Sequence, residues 1–215
     1  MTIKLNGSTA GSVALDAPAS TTGNADIQFK LPVADGSAGQ VIKTDGSGNL
    51  GFATSGITEA DQFLLTSDLN VAGTATTVTG NLARSGYSFM GTNSKIGTGM
   101  SESGGVFTFP STGKYLISTC ATFQSTNQNI YAAFRGQLSV DGGSNWYYIM
   151  VNYTSIFDSG SDTVYAQANG QALVDITNVS THKFRCSATS NGSMYVVGHV
   201  NEAYTSIVFT RLGDT

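Results

Sequence analysis

Charge is what this chain has least of: 11% of its 215 residues are Asp, Glu, Lys or Arg, against about a quarter in an ordinary soluble domain. Long exposed helices need Glu, Lys and Ala along their solvent face, so the shortage argues against a helical protein. The ten Lys and Arg residues are scattered singly from Lys4 to Arg211 in a chain of net charge −4. They leave no electrostatic footprint for nucleic acid. No run approaches the roughly 18 consecutive apolar residues of a membrane span, and the opening MTIKLNGSTAGS lacks the apolar core of a secretory signal. The expectation is therefore assembly in a cytoplasm, with no nucleic-acid partner and no membrane insertion.

Two cysteines and two histidines, far apart, do not make a zinc pattern. Cys120 and Cys186 both sit in strand-like runs and read as reduced core thiols, with a disulfide between neighbouring strands as the alternative.

What is abundant is glycine, at 26 residues, with Ser and Thr making up about another quarter of the chain. That mixture suits many strands joined by Gly-rich turns under a neutral, hydroxyl-covered surface. Residues 1–56 stand apart. Ile3 and Leu5 alternate with Lys4, Val13 and Leu15 follow the Asn6-Gly7-Ser8 turn, and Ile27, Phe29 and Leu31 make a period-2 strand ending at Pro32. Asp35-Gly36 and Asp45-Gly46 flank a short strand at Gln40–Thr44. So few large apolar groups in two-stranded units are marginal in water alone. Ile3, Leu5, Val13, Leu15, Ile27, Phe29 and Leu31 are accordingly the candidate docking residues of an extended N-terminal β-hairpin arm.

From residue 57 onward, strand-like runs recur with turn signals at the spacing of a sandwich. A strand is expected from Gln62 to Thr66 and another at Tyr87–Met90. Ala132, Phe134, Leu138 and Val140 share one parity, with Arg135, Gln137 and Ser139 on the other and Gly136 as a bulge. Asp141–Asn145 is a hairpin loop before the aromatic strand Trp146–Tyr153. Further strands are expected at Val164–Ala168, Ala172–Ile176, Phe184–Ala188, Met194–His199 and Ser206–Leu212.

The central stretch is GGVFTFPSTGKYLISTCATF, residues 104–123. Phe107-Thr108-Phe109 is extended, Pro110 ends it, Ser111-Thr112-Gly113 turns, and Lys114–Phe123 is a second strand. Its spelling, G-x-F-T-x-P-x-x-G-x-Y, resembles the signature corner of the C1q/TNF-like jelly roll, and the likeness covers roughly 57–215. It implies an all-β, antiparallel jelly-roll sandwich that assembles as a trimer, with its last strand central in a sheet. Separately, LPVADGSAGQVIKTDGSGNLGF (31–52) resembles the repeat of tailed-phage fibre proteins, and the opening MTIKLNGSTAGSVALDAPA resembles that of marine phage structural proteins.

The strands 115–123 and 146–153 carry apolar groups on both parities, which calls for a second cover such as a sister subunit. Tyr115, Ile117, Phe123, Tyr147, Ile149 and Tyr153 are the candidate trimer interface. Trp146 and Tyr148 are the candidate aromatics of a sugar-binding face.

Signals of chemistry are few. Gly46–Gly51 matches G-x-G-x-x-G, but no helix follows to hold a pyrophosphate. Asp158 and Asp162 lie in an oxygen-rich loop that could take calcium, as could Asp45–Asn49, yet neither has an EF-hand frame. His182 and His199 lack a nucleophile at recognisable spacing, and Glu59, Glu102 and Glu202 are dispersed. No catalytic residue and no cofactor is expected. The reading is a phage virion surface protein, a homotrimeric short fibre or knob docked by its arm to tail, portal or capsid and touching a host glycan. A capsid decoration trimer and a free lectin are its rivals.

Overall fold

The computed structural model describes residues 3–6, 12–15, 18–87, 95–127, 129–157, 160 and 162–215, with backbone alone for 3–6, 12–15 and 129. The chain divides into two compact units, Met1–Gly56 and Ile57–Thr215.

In the first unit β1 (Ile3–Asn6) and β2 (Ser12–Leu15) form a hairpin that sets Ile3 opposite Leu15 and Leu5 opposite Val13. A second hairpin joins β3 (Gln40–Thr44) to β4 (Leu50–Thr54). Asp45 holds its loop: Oδ2 accepts from Asn49 Nδ2 at 2.6 Å and Oδ1 from the Ser47 N–H at 2.8 Å. Those bonds, the Asn49 amide first, keep the Asp45 carboxyl below its ordinary pKa. The strand expected at 27–31 does not form. Lys30 alone bridges to Asn49, and with no partner strand alongside among the described residues, Ile27, Phe29 and Leu31 stay 60%, 64% and 73% exposed.

The second unit is a sandwich of two antiparallel sheets. Its strands are β5 (Ala60–Leu65), β6 (Leu69–Ala72), β7 (Thr76–Thr77), β8 (Leu82–Ala83), β9 (Lys95–Ile96), β10 (Ser101–Ser103) and β11 (Val106–Thr108). The longer ones follow: β12 (Gly113–Ser125), β13 (Asn129–Ser139), β14 (Tyr147–Ile156), β15 (Val164–Ile176), β16 (Lys183–Ser190), β17 (Ser193–Val196) and β18 (Ser206–Gly213). The strand at 62–66 is realised as β5, while residues 88–90 of the Tyr87–Met90 expectation lie outside the described residues.

One sheet is organised on β12. It pairs along its full length with β15 on one edge, and on the other with β18 and then β17. β18 continues to β5, so the last strand is central. The other sheet runs β10-β11-β16-β13-β14. The chain changes sheet between β12 and β13, β14 and β15, β15 and β16, and β16 and β17, which is the jelly-roll pattern. The separate strands expected at 164–168 and 172–176 are one, because Asn169 and Gly170 stay in the ladder opposite Cys120 and Thr119.

The two sheets are held by aromatic rings. Phe107 on β11 lies 5.0 Å from Phe63 of β5, 5.0 Å from Phe209 of β18 and 6.2 Å from Phe184 of β16, centroid to centroid. All four are buried. The hairpin that delivers Phe107 turns on Gly104 (φ 60°) and Gly105 (φ 79°), the left-handed pair of a two-residue loop. A Cβ at Gly105 would collide with the Val78 carbonyl.

An ion pair with a buried carboxylate and a partly exposed guanidinium pins the segment beside β5. Asp61 accepts from Arg84 Nε at 2.8 Å, from Arg84 Nη2 at 2.6 Å and from the Met100 N–H at 2.7 Å.

The bulge expected at Gly136 lies instead across from it. Gly136 faces Met150 and Gln137 faces Tyr148, so Ile149 is the extra residue, on β14. A Cβ on Gly136 would come within 2.5 Å of Met150 Cε and 3.0 Å of the Phe184 ring, which explains glycine there.

Truncating Phe107 to Ala is expected to cost about 3–5 kcal/mol in denaturant unfolding. Tyr153→Ala, on a ring left 63% exposed, is expected to change stability by no more than about 0.5 kcal/mol.

Candidate functional site

With the inward faces of both sheets spent on the core, the outward faces are what can meet a partner. On the β12 sheet the outward positions are Leu116, Ser118, Cys120 and Gln124. They pair with Leu173, Gln171, Asn169 and Tyr165 of β15, and Leu116, Ser118 and Cys120 pair with Thr210, Val208 and Ser206 of β18. Leu173 and Tyr165 are 65% and 59% exposed. Charge on this surface lies at its two ends: the Lys114–Asp175 pair at one, and at the other Asp68, which accepts from Gln124 Nε2 at 3.1 Å, with Glu202 beside His199. At the other end a recess of about 850 Å³ is lined by Thr122, Tyr165, Gln167, His199 and Tyr204. His199 Nδ1 accepts from the N–H groups of Asn201 (3.3 Å) and Glu202 (3.1 Å). These bonds fix the ring edge-on to Tyr204.

Tyr115, Ile117 and Phe123, read from sequence as interface, are the opposite parity. They are 1%, 0% and 0% exposed, inside the sandwich. Tyr115 packs edge-on against Phe109 at 4.9 Å and its hydroxyl donates to the Ser111 carbonyl at 3.0 Å. A strand has one inward face, and the aromatic cluster claims this one. Leu116 and Cys120, on the other parity, are the groups left to a partner.

Tyr147, Ile149 and Tyr153 are on the other sheet, so the six residues cannot share one surface. The Ile149 bulge also breaks their common parity. Tyr153 points outward opposite Ala133, Tyr147 lies opposite Leu138 at the strand start, and Ile149 packs half-buried on the core.

Trp146 and Tyr148 do reach the surface. Trp146 is half-buried beneath the Arg185 guanidinium, and Tyr148 is 52% exposed beside Arg135. The loop before them is held by Asp141, which accepts from the Asn145 N–H at 2.9 Å, from Asn145 Nδ2 at 2.7 Å and from Ser139 Oγ at 2.7 Å. These bonds, the Asn145 backbone N–H first, lower its carboxyl to about 2.

Asp158 lies outside the described residues, and Asp162 is exposed. Asp45 spends its carboxylate on donors of its own turn rather than facing a cation. Among the described residues no group of three His, Cys, Asp or Glu side chains converges. The G-x-G-x-x-G run enters β4. Glu59 accepts from the N–H groups of Thr98 and Gly99, and Glu102 from that of Gly105. His182 Nδ1 lies 2.9 Å from the Asn178 carbonyl within a turn. Cys120 and Cys186 are both free, and burial pushes each thiol pKa up.

No protein-family model matches the chain, and no curated protein does. Solved structures do. Eiger, a TNF of S. frugiperda, aligns with a TM-score of 0.55 at 9% identity, over 73% of this chain and 93% of that one. Murine APRIL aligns with a TM-score of 0.49 at 11% identity, over 72% of this chain and 98% of that one. The Eiger alignment and the sheet order together make the fold a TNF-like jelly roll.

Because the Asp141 carboxyl is lowered to about 2 from 3.8, its contribution is present above pH 3.8 and lost as pH falls through about 2. Wild type is expected to melt above Asp141→Ala at neutral pH. The gap should narrow between those two values and vanish below the lower one in a series of thermal melts.

Proposed function

We propose that the protein is a homotrimeric surface protein of a tailed-phage virion, a short fibre or knob held to the particle by residues 1–56 and touching the host surface. The observation that carries the trimer is the outward face of the β12 sheet. It is long, because β12 and β15 pair over 13 residues each. It is neutral over its middle, where Ser118, Cys120, Gln171 and Asn169 sit between Leu116–Leu173 at one end and Tyr165 at the other. Neutral polar groups with apolar and aromatic anchors desolvate at little cost, whereas scattered charges would not. A specific interface needs about 800 Å² from each partner, and a sheet face of this length supplies that scale. The TNF-like fold supports the same arrangement.

The particle-bound role rests on the first unit. Its fibre-like repeat comes with six exposed apolar groups, Ile27, Phe29, Leu31, Val33, Val41 and Ile42, the last two on opposite faces of β3. Such a concentration on one small unit fits a surface that is covered on assembly. The role requires no catalysis and no cofactor. Three copies of a weak site on each trimer, and several trimers on each particle, would bind through avidity.

Light scattering behind gel filtration is expected to give three times the chain mass. Leu173→Glu, a change at a side chain the subunit leaves 65% exposed, is expected to give a folded monomer with an unchanged circular-dichroism spectrum. A wild-type monomer at micromolar concentration, or a Leu173→Glu trimer, would sink the assembly. Immunogold labelling on the tail is expected. Labelling spread over the head, or none on particles, would overturn the fibre role.

A further inference from the structure

We propose that the outward face of the β13 sheet binds a carboxylate-bearing saccharide, with Arg135 and Arg185 as its anion-holding residues and Tyr148 and Tyr153 as its stacking rings. This names the ligand of the host-contact role and rests on that reading for its purpose, but it does not need the trimer. The face belongs to the sheet that the proposed three-fold surface leaves free.

The site is built by strand register. Along β13 and β16, Arg135 faces Ser187, Gln137 faces Arg185 and Ser139 faces Lys183. Along β13 and β14, Ala133 faces Tyr153, Arg135 faces Val151 and Gln137 faces Tyr148. Two arginines, distant in sequence, thus become diagonal neighbours, about 7–8 Å apart in such a pair. Each guanidinium is braced by a ring. The Arg185 carbon sits 4.2 Å from the Trp146 ring centroid, and its Nε donates to Gln137 Oε1 at 2.9 Å. The Arg135 carbon sits 5.3 Å from the Tyr148 centroid, with Nη1 3.5 Å from the Tyr148 hydroxyl.

Both arginines are therefore positioned, yet neither is neutralised. Among the described residues no carboxylate pairs with Arg135, Arg185 or Lys183, while Arg84, Lys114 and Arg211 all have one. Arg135 Nε and Ser187 Oγ are buried without a hydrogen-bond partner, and the two residues are cross-strand neighbours. Ser187 is 3% exposed. Buried donors are ordinarily paired, and an unmet one costs about 1–3 kcal/mol. Both atoms are closed to solvent, so a ligand would meet the guanidinium at its outer nitrogens, where an acceptor-only carboxylate fits the planar fork and supplies the negative charge the arginine lacks. Burial pulls Arg185 below its ordinary guanidinium pKa, a desolvation cost that a bound anion would offset.

The surroundings favour a saccharide over other acids. Tyr148 and Tyr153 are 52% and 63% exposed, and Tyr153 is set edge-on to Tyr131 at 6.2 Å. Rings with an apolar face and a hydroxyl edge match a pyranose, which also presents C–H faces and hydroxyl edges. A nucleic-acid strand would call for a longer basic track. An extended peptide would take a sheet edge rather than the face of a sheet.

The test is calorimetric titration of the full chain with oligogalacturonate, alginate, hyaluronate and polysialate, with methyl-esterified oligogalacturonate, poly-glutamate and a single-stranded oligonucleotide as controls. At least one acidic saccharide is expected to bind saturably, and esterification to abolish binding where the ligand is oligogalacturonate. Arg135→Gln and Arg185→Gln are each expected to weaken it at least tenfold, and Lys43→Gln, in the first unit, to leave it unchanged. If either Gln variant fails to fold, Arg135→Lys and Arg185→Lys keep the charge, lose the fork, and are expected to weaken binding severalfold. No binding across the four saccharides, equal binding of poly-glutamate or the oligonucleotide, or affinity indifferent to both arginines would each overturn the site. Light scattering on the same samples separates the two readings: a trimer that does not bind sinks only the site, and a binding monomer sinks only the trimer.

Discussion

Everything on the surface of residues 57–215 depends on a ring stack in the middle. Phe107 meets Phe63 and Phe209 of one sheet and Phe184 of the other, and all four are buried. Rings of this size contribute more through packing than any single surface contact. By claiming one face of each strand they dictate which residues face out. Tyr115, Ile117 and Phe123 go inside because Phe109 and the rest of the cluster are there to receive them. Leu116, Ser118 and Cys120 then face outward with no further choice to make.

The second determinant is a single inserted residue. Strict alternation along Trp146–Tyr153 would put Tyr147, Ile149 and Tyr153 on one face. The bulge at Ile149 resets the count, so Tyr148, Val151 and Tyr153 line up against Gln137, Arg135 and Ala133. Its cause is steric. Phe184 and Met150 fill the space over Gly136, and β14 makes its extra step opposite that glycine. An aromatic and basic face on the β13 sheet is the result.

The two sheets consequently show different chemistry to the outside. One outward face is neutral over its middle and suited to another copy of itself. The other collects Arg135, Arg185 and Lys183 on a chain whose overall charge is −4. A trimer built on the first would display the second three times, which is how weak individual contacts become useful. The half-buried Asp61–Arg84 pair serves the core margin, joining β5 to the segment that ends at Met100.

How much of this was legible beforehand follows from the range of the forces involved. Composition and period-2 patterning are local, and they were enough for an all-β sandwich, for β5, β11, β12 and β18, and for the turn at Asp141–Asn145. The corner spelling carried the jelly roll. A ladder needs a partner as well as a pattern, which is why Ile27, Phe29 and Leu31 read as a strand and are not one. Singly scattered cations read as no patch at all, because strand pairing between β13 and β16 is what sets Arg185 beside Arg135. The amino-acid order by itself determined which segments are extended and where they turn. Inside against outside, and which distant side chains become neighbours, were decided only by tertiary structure, since register and bulges emerge from packing between residues far apart along the chain.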